Sequence, residues 1–488
     1  MMTGSNNLSL IIASLICLLG CKNSTENELL RSPNIILIVA DDLGYGDLAC
    51  YGQKTLKTPH IDRMAAEGIM FSNHYSGSTV CAPSRASLMT GRHPGHVSVR
   101  GNYDGMLLKD EEITVAEIFK KGGYVTGAIG KWGVGHPPPV HDPKRNGFDY
   151  FYGYLNMWHA HNFYPEFLYR NGEKVKLEGN RTMLVEGKNP WADSPEGTGV
   201  AEKKARYVHD LFDEEGLRFI EEHKDTSFFL YMAYNVPHAN NEAGRLLGNG
   251  MEVPDYGSYA LMDWPDPEKG FAAMIENLDQ SVGLILAKLE ELGLSKNTLV
   301  IFVSDNGPHM EGNHDAGFFD SNGILRGTKR DLYEGGIRTP FLACWPGTIE
   351  PGSSSDHVST FWDMMPTFCE ILKLEAPENC DGISFLPTLV GKNEMQKKHP
   401  YLYFEFYEQG GKQSVLMDNW KAIKLDVRGN NPKPIELYNL SADPSESNDM
   451  ASDYPEIVAM MDSLMFISHT PLESMSLFDD GRESDMPF

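Results

Sequence analysis

Asn34-Ile35-Ile36-Leu37-Ile38-Val39-Ala40 is an unbroken apolar run, rich in β-branched residues, that ends in Asp41-Asp42-Leu43-Gly44. A strand with no polar alternation needs cover on both faces, which is the condition of the inner strands of a parallel sheet. The two carboxylates then stand at the C-terminal end of a buried strand, the edge at which open α/β sheets bind ligands. Adjacent carboxylates repel one another, so a bound cation accounts for keeping both ionised. Alone, Asp-Asp would read more readily as a polar turn. A second stretch changes that reading: Thr298-Leu299-Val300-Ile301-Phe302-Val303-Ser304 runs directly into Asp305-Asn306-Gly307. Before it, Met274, Ile275, Leu278, Val282, Ile285, Leu289 and Leu292 recur at helical spacing, and Gly293 supplies a stop. Alternating strand, helix and strand predict an α/β protein built on a large mixed, mostly parallel sheet flanked by helices. If both strands share that sheet, Asp41, Asp42, Asp305 and Asn306 converge on one edge. A donor set of oxygens without His or thiolate favours a hard cation, Ca²⁺ or Mg²⁺, over Zn²⁺.

The chain has 488 residues, too many for one small core and suited to a large domain with a smaller companion. Hydrophobic content of 41% with 47 Gly and 29 Pro indicates a globular, loop-rich protein. The formal net charge of −26 argues against nucleic acid as a partner and against adsorption to an anionic membrane surface. Any anionic substrate must therefore be drawn in by local cations. Residues 8–19 form a short apolar run ending at Leu18-Leu19-Gly20-Cys21, with polar residues 22–28 behind it. This reads as a lipoprotein signal segment over 1–21 with Cys21 as the lipid anchor, the alternative being an ordinary cleaved secretory signal. The expected location is outside the cytoplasm, in the periplasm or at the outer membrane, with membrane contact through the anchor alone. Cys17 belongs to the signal, which leaves Cys50, Cys344, Cys369 and Cys380 as candidates for pairing.

Cys81-Ala82-Pro83-Ser84-Arg85-Ala86-Ser87-Leu88-Met89-Thr90-Gly91-Arg92 puts a reactive side chain and a cation at a helix start, where free N–H groups and the helix dipole favour an anion. The stretch resembles, position for position, the C-x-P-S-R-x-x-x-x-T-G signature of the formylglycine-dependent sulfatases, of the alkaline-phosphatase-like superfamily. The resemblance implies that a maturation enzyme converts Cys81 to formylglycine. It further implies that Asp41, Asp42, Asp305 and Asn306 hold one Ca²⁺ per chain, together with an oxygen of the modified Cys81. Gly127-Ala128-Ile129-Gly130-Lys131-Trp132 is similar to the second family signature, with Lys131 on the sulfate. Asn235-Val236-Pro237-His238 follows the family's strand-Pro-His pattern, implying sulfate binding by His238 and proton donation to the leaving alcohol. Leu325-Arg326-Gly327-Thr328-Lys329 resembles the third block, with Lys329 on the sulfate beside Arg85. In the mechanism so implied, one hydroxyl of an aldehyde hydrate attacks sulfur in line and the other collapses to expel sulfate. One position departs from the pattern. The family continues Lys-Trp-His, whereas position 133 is Gly, so the histidine's role is either vacant or supplied by another residue, His136 or His309 being the candidates.

Between the blocks, Phe151-Tyr152-Gly153-Tyr154-Leu155-Asn156-Met157-Trp158-His159-Ala160-His161-Asn162-Phe163-Tyr164 combines aromatics with two histidines. His159 and His161 are candidate sugar contacts, with buried anchoring aromatics an equally good reading. His309 and Glu311 follow the Asp305-Asn306 pair closely enough to line the same pocket. Glu334 and Arg338, at i,i+4 across two glycines, read as a structural pair. The catalytic domain is expected over 32–395. From 396 to 488 a smaller α+β subdomain is expected, with antiparallel strands near 401–407, 414–417, 420–425 and 436–440 and a helix near 454–465. Gln409 and Lys412, in its first turn, are candidate substrate contacts. The expected activity is hydrolysis of sulfate monoesters on a sulfated glycan, with galactose, N-acetylgalactosamine or N-acetylglucosamine sulfate as the substrate unit. The alternatives are a phosphate or phosphonate ester hydrolase of the same superfamily and a catalytically silent glycan-binding lipoprotein.

Overall fold

A computed structural model of the protein describes residues 32–103, 106–134, 142–429, 432–472 and 477. The signal segment with Cys17 and Cys21, and the candidate His136, lie outside the described residues. Ten strands form one sheet: β1 (Asn34–Asp41), β2 (Ile69–Phe71), β3 (Val125–Lys131), β4 (Tyr150–Tyr154), β5 (Phe167–Arg170), β6 (Glu173–Lys176), β7 (Phe228–Pro237), β8 (Thr298–Ser304), β9 (Phe341–Cys344) and β10 (Ser353–Ser355). Their spatial order is β10-β2-β9-β8-β1-β7-β3-β4-β5-β6. The inner five, β8-β1-β7-β3-β4, are parallel, and antiparallel strands flank them on both sides. This is the mixed, mostly parallel sheet that the sequence predicts.

The apolar run of β1 serves two cores at once. Ile36, Ile38 and Ala40 pack on one face with Met274, Ile275, Leu278 and Val282 of α2 (Asp266–Glu291), numbered after α1 (Cys81–Thr90). Ile35, Leu37 and Val39 pack on the other face with Ala86, Leu88 and Met89 of α1. Each face removes a full row of side chains from water at about 25 cal/mol per Å², which is why no polar residue interrupts β1 between Asn34 and Asp41.

A second, four-stranded antiparallel sheet follows: β11 (Leu402–Phe406), β12 (Lys412–Met417), β13 (Trp420–Leu425) and β14 (Glu436–Asn439). Its period-2 alternation divides the side chains cleanly. Leu402, Phe404 and Phe406 face Tyr75, Val80, Ile337 and Trp362 of the larger unit, while Tyr403, Val415 and Leu437 are covered by Met461 and Met465 of α3 (Pro455–Ser468). Among the described residues all five cysteines are free thiols, so the pairing considered for Cys50, Cys344, Cys369 and Cys380 does not occur. Cys344 and Cys369 sit in cores on opposite faces of the large sheet, and Cys344 and Cys380 instead direct their thiols at the carbonyls of Glu67 and Gly91.

The two units are also joined by buried charge. Lys421 on β13 is 2.8 Å from Glu334 and 3.0 Å from Glu446, and Glu334 also takes Arg338 at 3.4 Å and the Tyr75 hydroxyl at 2.8 Å. The Glu334–Arg338 pair is thus structural, as its spacing suggested, but its main partner is Lys421. Lys421→Met should cost about 3–5 kcal/mol, because it leaves the buried Glu446 without its cation and Glu334 with Arg338 alone. Denaturant unfolding would measure it, and a loss below about 1 kcal/mol would show that the network carries no net stability.

Candidate active site

The strand ends deliver the site. Asp41 closes β1, and Asp42 follows it with φ +67°. Asp305 and Asn306 follow β8, Lys131 closes β3, and His238 follows β7. Cys81 opens α1, which lays Arg85 one turn along the same helix; the whole first turn is buried. Donor atoms of Asp41, Asp42, Cys81 and His238 lie within 4.8 Å of one another.

Three cations face three carboxylates. Lys131 Nζ is 2.7 Å from Asp41 Oδ2, Lys329 Nζ is 2.7 Å from Asp42 Oδ2, and Arg85 Nη2 is 2.8 Å from Asp305 Oδ2. Arg85 is fixed further by donating from Nη1 to the Lys131 carbonyl at 2.8 Å. Asn306 donates from Nδ2 to Asp42 Oδ1 at 2.7 Å, which turns its carbonyl oxygen the other way. That Asn306 Oδ1 and Asp41 Oδ1 are buried acceptors without a hydrogen-bond partner. Orphaned buried oxygens are costly unless something satisfies them, and two such oxygens among carboxylates suit an oxygen-seeking divalent cation. The residues present therefore fit a hard metal ion.

The electrostatics follow from this crowding. Burial alone would push the Asp41 carboxyl up, but Lys131, His238, Arg85 and Lys329 outweigh it and hold Asp41 well below the usual carboxylate range. For Asp305, burial and the neighbouring Asp41 charge win over Arg85, and its carboxyl is pushed up to about 7. Burial pushes the Cys81 thiol up to about 12, so the unmodified side chain is a neutral thiol at physiological pH. Burial and the Lys329 charge lower His238 to about 3.

The structure separates the sugar-contact candidates. His161 reaches the site, its ring stacked on His238 with centroids 4.9 Å apart and planes at 14°. His159 does not: it is fully buried, its Nε2 3.0 Å from the Phe167 carbonyl, and its ring packs where a Cβ on Gly197 would stand. The 3₁₀ turn His159–His161 is the reason, since it rotates one histidine inward and the other toward the rim. His309 is likewise held by the backbone. It is buried, Nε2 donates to the Pro237 carbonyl at 2.9 Å, and Nδ1 accepts from the Glu311 N–H at 3.0 Å, so both nitrogens are spent on the backbone. Gln409 and Lys412 meet beside Arg330: Lys412 Nζ donates to the Arg330 carbonyl at 2.7 Å and to Gln409 Oε1 at 3.0 Å.

Gly133 has φ +77°, and a Cβ there would stand 3.1 Å from Arg85 Cδ and 3.7 Å from Lys131 Cε. The chain at this point lies directly against the two cations. Sequence reading also passed over Glu242 and Arg330. Glu242 approaches His161 at 3.3 Å, and Arg330 bonds Glu311 at 2.6 Å, which in turn lies 3.3 Å from Lys329. The one signal in the sequence was proximity, with Arg330 directly after Lys329 and Glu242 four residues after His238.

A buried carboxylate edge beside a helix-borne nucleophile position, at the C-terminal ends of a mostly parallel sheet, defines a hydrolase of the alkaline-phosphatase-like class. Residues 33–374 match the sulfatase family model, and residues 317–467 match that of the N-sulphoglucosamine sulphohydrolase C-terminal region. The chain is 30% identical to N-acetylgalactosamine-6-O-sulfatase of Bacteroides thetaiotaomicron, over 93% of this chain and 97% of that protein. It is 31% identical to arylsulfatase A of Homo sapiens, over 90% of this chain and 88% of that protein. Among solved structures, that of Ps i-CgsB in complex with k-i-k-neocarrahexaose superposes with a TM-score of 0.73 at 27% identity, over 89% of this chain and 92% of that one. The chain belongs to the sulfatase family and is a sulfuric ester hydrolase.

Proposed function

We propose that the protein removes sulfate from a 6-sulfated hexosamine of a sulfated glycan, using formylglycine formed from Cys81 and one Ca²⁺. The observation that carries this reading is the convergence of Cys81 with Asp41, Asp42 and Asp305 and with Arg85, Lys131 and Lys329, two acceptor oxygens being left without a hydrogen-bond partner. The sugar is supported by the name of the relative that this chain matches nearly end to end, an N-acetylgalactosamine-6-O-sulfatase.

When present, formylglycine supplies a hydroxyl nucleophile and Ca²⁺ supplies positive charge for the sulfate oxygens. Asp41, Asp42, Asp305 and Asn306 would hold the metal, with the modified side chain at 81 adding an oxygen. The chain's own contribution is then electrostatic. Three cations and three carboxylates cancel, so a divalent ion taken up by the carboxylates leaves a positive surplus. Arg85, Lys131 and Lys329 are thereby released toward an anion, which explains how a chain of net charge −26 can bind a sulfate ester. His238, in contact with Lys329, completes the sulfate cradle. The turn carrying Gln409 and Lys412 adjoins Arg330, which bonds Glu311 beside Lys329, and would contact the sugar from there. Export with a lipid on Cys21, and a separate maturation enzyme acting on Cys81, belong to the same reading.

The test is release of inorganic sulfate from N-acetylgalactosamine 6-sulfate and its 4-sulfate, and of inorganic phosphate from the 6-phosphate. Preferential turnover of the 6-sulfate is expected. Preferential turnover of the phosphate would move the protein to the phosphoester branch of the superfamily, and preference for the 4-sulfate would overturn the assigned position.

A further inference from the structure

The helix that Cys81 opens has no acceptor of its own for its first N–H groups. Its cap position is Val80, whose side chain carries no oxygen, and Pro83 has no N–H to satisfy. The Ser84 N–H turns back to the Val80 carbonyl at 3.3 Å. Between them stands the N–H of Ala82, in the peptide unit joined directly to Cys81. It is taken from outside the helix, by Asn102 Oδ1 at 3.1 Å, 20 residues along the chain. A backbone N–H can only donate, so the oxygen of the Asn102 amide is the atom that faces it.

Asn102 is itself held by the C-terminal subdomain. Its own N–H lies 3.3 Å from Glu408 Oε1, in the turn between β11 and β12. Two residues earlier, the buried Arg100 donates to Glu405 of β11 at 3.0 Å, to the Tyr407 hydroxyl at 3.1 Å and to the Thr470 hydroxyl at 2.8 Å. Glu405 also accepts from the Tyr403 hydroxyl at 2.7 Å and meets His469 Nδ1 at 2.7 Å. Thr470 donates its N–H to the Gly95 carbonyl at 3.1 Å. A buried ion pair with this many further bonds keeps one geometry, because a departure would leave a charge unpaired. Residues 95–102 are thus fastened to the subdomain at both ends, and the last of them fastens the peptide behind Cys81.

We propose that Asn102 is a positioning residue: it holds the Cys81–Ala82 peptide so that the side chain at 81 keeps its line of attack on sulfur. The C-terminal subdomain sets that geometry through Glu408 and Arg100. The proposal rests on the reading above in which position 81 carries the nucleophile. In-line attack tolerates little displacement, and an error of about 1 Å costs about 10²-fold in rate. Two competing explanations are a helix cap that adds stability alone and a side chain that touches the sugar.

Variants of the full-length protein separate the three, with activity normalised to the converted fraction of residue 81, measured from the mass of its peptide. Asn102→Ala should lower kcat by about 10²-fold on N-acetylgalactosamine 6-sulfate and equally on 4-nitrophenyl sulfate, with KM within about 3-fold of wild type. Asn102→Asp keeps an acceptor oxygen in place and should hold kcat within about 3-fold of wild type. Glu408→Ala should lower kcat by less, and combined with Asn102→Ala it should lose no more than Asn102→Ala alone. In unconverted protein, where no turnover enters, amide hydrogen exchange over residues 80–84 should be faster in Asn102→Ala and in Glu408→Ala than in wild type. A lower unfolding temperature with kcat unchanged would reduce Asn102 to a helix cap, and a loss confined to the sugar sulfate or to KM would make it a substrate contact. Either result overturns the proposal, as does Asn102→Asp as slow as Asn102→Ala. Unchanged exchange in Glu408→Ala, or additive losses in the double variant, would overturn the link to the subdomain. If Asn102→Ala does not fold, Asn102→Leu keeps the volume without the acceptor and decides the question in the same assays. Failure of the wild-type enzyme on both esters, or full activity in Cys81→Ala, would refute the reading of position 81 itself, a result distinct from any of these.

Discussion

Cys81→Ala lowers turnover by at least about 10³-fold and leaves the protein folded, at a cost of about 1–2 kcal/mol in stability. The size of the loss follows from the position. Cys81 opens α1 with its thiol among Asp41, Asp42 and His238. The modest stability cost follows because the change removes a single buried sulfur. The thiol itself is unsuited to attack: burial pushes it up to about 12, so it is protonated near neutrality. Attack by sulfur would also leave an adduct without an easy exit. Protein retaining an unmodified Cys81 should therefore be as inactive as the alanine variant. The mass of the peptide bearing residue 81, measured beside sulfate release, checks both statements. Wild-type turnover in Cys81→Ala would mean that the nucleophile lies elsewhere.

Removal of the metal has the second largest expected effect. Without it, Lys131, Lys329 and Arg85 remain clamped on Asp41, Asp42 and Asp305, and the cradle for sulfate is neutralised from within. Exhaustive chelation should reduce activity by at least about 10²-fold, since one electrostatic contact to the transition state is worth that much. Ca²⁺ should restore it, and Zn²⁺ should not. At 100 times its Kd, Ca²⁺ should also raise stability by about 2.7 kcal/mol, visible as a higher unfolding temperature. The pH dependence has a definite sign. Burial and the Asp41 charge raise Asp305 to about 7 in the metal-free site, so below that pH the ion must displace a proton. Ca²⁺ affinity should accordingly weaken as pH falls through about 7 and level off above it. Full activity in chelated, metal-free protein would remove the metal from the mechanism.

The sequence by itself determined the framework. The apolar runs of β1 and β8 had to be inner strands because their own residues leave no face for water, and the oxygen donors directly behind them had to stand at the sheet edge. The helix spacing before β8 and the alternation in β11 to β14 were legible for the same reason: burial of a strand or helix face is set by residues a few positions apart. What the side chains meet across the fold was not legible. His159 and His161 differ by two positions, yet a 3₁₀ turn sends one into the core and the other onto His238. His309 looked like a pocket residue, but the backbone of Pro237 and Glu311 consumes both its nitrogens. Glu242 and Lys421 acquired their importance from partners 81 and 87 residues away. Coulomb attraction and hydrogen bonding act across space, whereas hydrophobic periodicity is written along the chain. The sheet edge and its oxygen donors could therefore be read from the sequence, and the neighbours that hold His159, His161 and His309 only from the tertiary structure.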